Sequence, residues 1–317
     1  MDPVVARLAE PISEEYPCGE DLEDSPLLAS FDAYRIFGQM AAPPAETDWR
    51  GIRDKASEAL ERSRDLRLLA YLAAASLRTD GLLRFCDILQ LASRWFASYP
   101  EQLFPRVDED AILRKNSLNS LSDRMAIVEA VRRQPFVSHP QLGSFALRHF
   151  EIAAGKLPAS ESDGEPPNEA HLAATLDGAD GDALTATAAA VAAGIAALKD
   201  IDSAMRNAHG TEGVPEFDPL LAPLQQIHRL LADQLATRAA NAAPPEAVAG
   251  QEGEPGAAAV IGVGSIRTRE DAIRAVPGLR RFPYRTELPH ARRGREQGYP
   301  EFGGPFPADL PHTFYVN

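Results

Sequence analysis

Cysteine is nearly absent: Cys18 and Cys86 are the only two in 317 residues. They lie far apart, with no neighbouring Cys or His at ligand spacing, which excludes a disulfide framework and suits a reducing compartment. Positive charge is also short. Lys and Arg number 32 against 46 Asp and Glu, a formal charge of -14, so nucleic acid and anionic membrane are poor partners, because both reward clustered cations. Long hydrophobic runs are missing too, since no stretch reaches the roughly 18 uninterrupted apolar residues of a membrane span. The opening, Met1 to Glu10, carries an acid where a secretory signal would carry its positive start. These absences together lead to the expectation of a cytoplasmic protein whose partners are other proteins.

Patterns that carry chemistry are equally scarce. Gly262 and Gly264 begin a glycine fingerprint, but Arg267 stands where the third glycine belongs, and no strand pattern precedes it. The seven histidines show no paired metal-ligand spacing. Asp108, Glu109 and Asp110 start like a calcium loop, yet Ala111 breaks the alternation, and a helix N-terminus favoured by acids is the simpler account. Glu20 and Asp21 are adjacent carboxylates with no base, nucleophile or cofactor loop beside them in the pattern. No catalytic residue, cofactor or metal is assigned, and the expected class is not an enzyme. A hydrolase with an unrecognised site stays as an alternative, as does a general helical adaptor or scaffold.

What is present is helical periodicity. Thr47 or Asp48 can cap a helix with Trp49, Ile52, Ala56 and Leu60 on one face. Asp65 can cap the next, with Leu66, Leu69, Leu72, Ala73 and Leu77, ending at the turn Thr79-Asp80-Gly81. A third carries Leu82, Phe85, Ile88, Leu89, Ala92, Trp95 and Phe96 and stops at Tyr99-Pro100. The short connections predict a bundle over 48–133 with Trp49, Leu72, Leu89 and Trp95 as core anchors. Further helices are expected over 111–121, over 123–133 with Ser122 as cap, and over 144–154. An Ala-rich segment over 182–207 and a helix over 220–236 form a hairpin in outline. No strand alternation of comparable strength stands out. The predicted class is all-α: a helical N-terminal domain over 1–154, with 1–47 an extended arm that carries one short helix near 26–37. A linker over 155–169, a middle helical region over 170–237, a second linker over 238–263 and a C-terminal start at 264 follow.

The arm holds the most distinctive motif, Pro11-Ile12-Ser13 followed by Pro17-Cys18-Gly19-Glu20-Asp21-Leu22. A tight turn with two acids and a hydrophobe, set in a poorly ordering arm, either latches onto the bundle or faces a partner. Pro17, Gly19, Glu20, Asp21 and Leu22 are therefore the candidate latch or partner-binding residues. With Asp48-Trp49-Arg50, the run Arg64 to Leu72, Trp95, Tyr99-Pro100 and Phe104-Pro105, this succession resembles the N-terminal domain of the TssA (ImpA) family of bacterial type VI secretion components. The resemblance implies a structural protein at the cytosolic side of the machine, one that recruits or primes the baseplate and coordinates tube and sheath growth. The partners it implies are baseplate subunits, the spike protein, the tube protein Hcp and sheath proteins.

Short members of that family continue, after a segment similar to Ser265 to Ala272, into helices that build a self-associating ring. In this chain Thr268 can cap a helix that carries Ile266, Ala272, Ile273 and Val276, but Pro277-Gly278 ends it. Beyond Val276 seven prolines (277, 283, 289, 300, 305, 307 and 311) and a string of arginines change composition, charge and periodicity together. A largely disordered tail is expected, and self-association is in doubt. A divergent tail and a reading-frame shift near codon 276 both account for it.

Overall fold

The computed structural model describes residues 3–107, 111–160 and 163–242. They form helices α1 (Pro3–Ala9), α2 (Pro26–Asp32), α3 (Trp49–Leu60), α4 (Leu66–Thr79), α5 (Leu82–Ser98), α6 (Ile112–Asn119) and α7 (Glu129–Arg133). Strands β1 (Pro135–His139) and β2 (Gly143–Ala146) follow, then α8 (Leu147–Ala153), α9 (Glu169–Gly178), α10 (Gly181–His209) and α11 (Asp218–Ala242). The acidic run 108–110, the glycines at 262 and 264, the helix expected from Thr268 and the tail after Val276 lie outside the described residues.

The predicted caps work as capping chemistry requires. Asp48 accepts the Gly51 N–H at 2.9 Å and Asp65 accepts that of Arg67 at 2.8 Å, each satisfying a donor the first helical turn leaves open. α4 is the centre of the bundle. Its stripe is wider than expected, because Leu68, Ala70, Tyr71, Ala74 and Ala75 are buried along with Leu66, Leu69, Leu72, Ala73 and Leu77. A helix apolar all round belongs between neighbours, and α3 and α5 both pack on α4.

The Ala-rich α10 lies against α5 on one side and α11 on the other. At Gly194 a Cβ would come within 3.2 Å of Cys86 Sγ and 3.4 Å of Leu89 Cδ1, so the small residue permits this close approach. α10 has the length and mean hydropathy of a membrane span, yet Leu184, Val191, Leu198, Ile201 and Met205 form a buried stripe on it. The helical segments on either side of 155–169 thus share one core, and the described residues fall in one compact unit.

Three local expectations change. The arm carries a helix that was not predicted, α1, held by only two buried side chains, Val5 and Leu8. Residues 135–146, whose last three were expected to open a helix over 144–154, instead form a two-stranded antiparallel sheet, irregular between Pro135 and Val137, with a turn over 140–142 that ends at Gly143 with φ +98°. Buried Phe136 and Val137 are adjacent rather than alternating, which hid the strand. Finally, Asp123 and not Ser122 caps the next helix. Its carboxylate accepts Met125 N at 3.0 Å and Ala126 N at 2.7 Å, and the chain winds through a wider π turn over Arg124–Val128 before α7.

Candidate functional site

The arm motif folds back on the link between α3 and α4. Arg64 N–H donates to Cys18 O at 2.8 Å and Glu20 N–H donates to Arg62 O at 3.1 Å, pairing Gly19 with Ser63 as in an antiparallel strand. Gly19 is required twice over. Its φ of +74° is unfavourable for an L side chain, and a Cβ there would stand 2.1 Å from Arg62 O and 2.6 Å from Ile12 Cδ1. Upstream, Gly19 N–H donates to Tyr16 O at 2.9 Å and Ile12 N–H to Pro17 O at 3.0 Å, closing the turn on itself. Cys18 and Leu22 are buried beneath it, whereas Glu20 and Asp21 are exposed. Pro17 is half-buried at the start of the turn.

Buried cations fix the ground under the motif. Arg64, 4% exposed, donates to Leu60 O and, at 2.7 Å, to Glu10 O, and its guanidinium lies 5.6 Å from the Trp95 ring centre. Arg114 donates to Pro105 O at 3.1 Å, Pro100 O at 2.6 Å and Leu103 O at 2.7 Å, tying the loop after α5. That loop pairs in turn with the α3–α4 link, since Phe104 N–H donates to Arg64 O at 3.2 Å and Leu66 N–H to Phe104 O at 2.8 Å. Burial lowers the pKa of Arg64 and of Arg114. Burial also pushes the Cys18 thiol up to about 11 and the Cys86 thiol to about 12, so both are protonated, inert thiols at neutral pH. Among the described residues no group of three or more His, Cys, Asp or Glu is placed to hold a metal ion.

At the surface Glu20 Oε1 meets Arg62 Nε at 2.7 Å, Asp21 Oδ1 accepts Glu23 N–H at 3.0 Å, and Glu23 pairs with Arg67, which also holds buried Asp65. Of the predicted anchors, Leu72, Leu89 and Trp95 are buried, and Trp95 Nε1 donates to Leu8 O at 2.8 Å, fastening α1 to α5. Trp49 is placed differently. It packs half-buried at the edge of the core under the Arg78 guanidinium, 4.0 Å from its ring centre. Sequence reasoning overlooked the partners of the arm, Arg62, Arg64 and Phe104, since no local pattern relates residue 19 to residue 63.

Residues 9–127, from the arm to the π turn, match the family model of the ImpA N-terminal domain of the type VI secretion system. The type VI secretion system component TssA1 of Pseudomonas aeruginosa is 29% identical over 294 residues, covering 87% of this chain and 84% of that protein. A solved structure of the N-terminal domain of the TssA component from Burkholderia cenocepacia, including its conserved ImpA_N region, has a similar fold. It aligns with a TM-score of 0.58 and 23% identity over 75% of this chain and 96% of that one. With the arm motif, the bundle it closes and a related protein matching along most of the length all in agreement, residues 9–127 of this chain are an ImpA N-terminal domain of the kind found in TssA components of the type VI secretion system.

Proposed function

We propose that the chain is a non-enzymatic assembly component that works at the cytosolic side of the secretion machine, recruiting or priming the baseplate and coordinating tube and sheath assembly. Its contacts in this reading are with baseplate subunits, the spike protein, the tube protein Hcp or sheath proteins. The observation that carries it is the division of labour in the arm. The main chain of 18–20 is spent on residues 62 and 64, while Glu20 and Asp21 stay in solvent beside an exposed Tyr16. A rigidly held, solvated acidic edge suits protein recognition, because little ordering entropy is lost on binding. Two buried arginines that could have served chemistry bond to main-chain carbonyls instead, which favours a scaffold.

The test is a charge reversal, Glu20→Lys with Asp21→Lys, in the full chain, with binding measured against each purified tail component. The Glu20–Arg62 pair is exposed on both sides, so its loss leaves the fold intact, as circular dichroism will report. Reduced affinity for at least one component is the expected result. Unchanged binding to every component would leave 17–22 with a latching role only.

A further inference from the structure

Between the arm turn and the loop at Phe104 runs a groove that the latch itself does not use. It is lined by Ile12, Tyr16, Gly19, Arg62 and Arg106, with Phe104 buried behind them. Tyr16 is 60% exposed, unusually open for a large side chain with an apolar ring. Its backbone is nonetheless pinned, with its N–H on Ser13 Oγ at 2.9 Å and its carbonyl on the Gly19 N–H at 2.9 Å. A ring held out at a fixed position in a groove that it shares with Ile12 resembles the centre of an interface, where aromatic anchors carry most of the binding energy.

Charge around the groove selects the occupant. Glu20, Asp21 and Glu61 line it against Arg62 and Arg106, Glu61 is paired with Arg7, and exposed Glu14 and Glu15 add two more acids from the Tyr16 turn. Arg106 lies 5.3 Å from the Phe104 ring centre, and Arg62 is engaged by Glu20. The excess is negative. We infer that this groove docks a polypeptide segment of another tail component that carries a bulky apolar side chain flanked by Lys or Arg. The apolar group packs between Ile12 and Tyr16, and the cations meet the acidic rim and the Tyr16 ring. The inference rests on the reading of the arm as a partner-facing edge and specifies what that edge recognises.

Fluorescence anisotropy on the full chain tests it with three short labelled peptides: Leu-Phe set between pairs of Lys, the same peptide with Ala-Ala at its centre, and the same with every Lys changed to Glu. The Leu-Phe peptide should bind, with affinity falling about tenfold or more in either altered peptide and in the Tyr16→Ala variant. Tyr16→Ala is a safe probe because the ring is mostly solvated and the backbone bonds remain. No binding of the Leu-Phe peptide, equal binding of the Ala-Ala or Glu peptide, or indifference to Tyr16→Ala overturns the inference. So does a Tyr16→Ala variant whose main effect is to dissolve a self-associated species, since the occupant is then a second copy. Loss of tail-component binding on charge reversal with full retention in Tyr16→Ala sinks the groove while sparing the proposed function. The opposite pattern, groove binding of the peptide with tail binding indifferent to charge reversal, sinks the acidic-edge contact instead.

Discussion

Gly19 and Gly38 both sit at positive φ, +74° and +72°, but only Gly19 has backbone atoms where a Cβ would go. Gly38→Ala should therefore cost only the left-handed conformation, about 1–2 kcal/mol. Gly19→Ala must also push Arg62 O away and open the 18–64 and 20–62 bonds, and should cost about 3 kcal/mol or more. Denaturant unfolding of the two variants separates strain from collision, and equal losses would show that the arm yields without resistance. Cys18 reports the same event chemically. Buried under the turn, it should react with a thiol reagent slowly in the native protein and much faster in Gly19→Ala. The two thiols also set a pH dependence. Their folded values, about 11 and about 12, lie above the ordinary 9.0, so the folded state keeps protons that the unfolded chain releases. Their contribution is complete below pH 9 and is lost as pH rises through 11 to 12. Between pH 8 and 10 the native chain should lose more stability than a variant with Cys18→Ala and Cys86→Ala, and parallel losses would mean that other groups dominate.

α5 and α10 meet across Gly194, where a larger residue has nowhere to go but into Cys86 and Leu89. Gly194→Leu should separate the helices locally and destabilise the protein by about 1–3 kcal/mol through overpacking, with faster amide exchange in α10 as the direct readout. Unchanged exchange would place the α5–α10 contact elsewhere. The contact also shows which parts of the fold were legible in the sequence. α3, α4 and α5 were readable because each repeats apolar residues over at least three turns and starts at a visible cap or turn, as Asp48 and Asp65 confirm with their hydrogen bonds. α1 offered two buried residues and the β1–β2 hairpin two adjacent ones, too few to make a period. The arm motif stood out as unusual because Gly and Pro bracket its acids. Its docking on 62–64 was hidden, since a pairing across more than forty residues leaves no mark on either segment alone.

At the scale of the molecule, the segment expected to link two separate helical regions lies within a shared framework. Asp163 accepts Arg148 Nε and Nη2 at 2.6 Å each, and those bonds hold its carboxyl well below the usual carboxylate range. Gln234 on α11 donates to Asp177 at the end of α9, and Arg238 Nη2 donates to the carbonyls of Leu176, Asp177 and Ala179. Taking 1–154 as a self-sufficient domain is thus a proposal that stability measurements can decide. A fragment ending at residue 154 would lose Val191, Leu198 and Ile201 from the face of α5, each worth about 1.5–3 kcal/mol when fully buried. Fragment 1–242 should unfold in one cooperative transition, whereas 1–154 should unfold at markedly lower denaturant and bind a hydrophobic dye on the bared face of α5. If 1–154 is as stable as the longer fragment and leaves the dye unbound, or if 1–242 melts in two separate steps, then α10 is an independent module resting on the bundle. The arm, its groove and its latch would then act without support from the C-terminal half of the described chain.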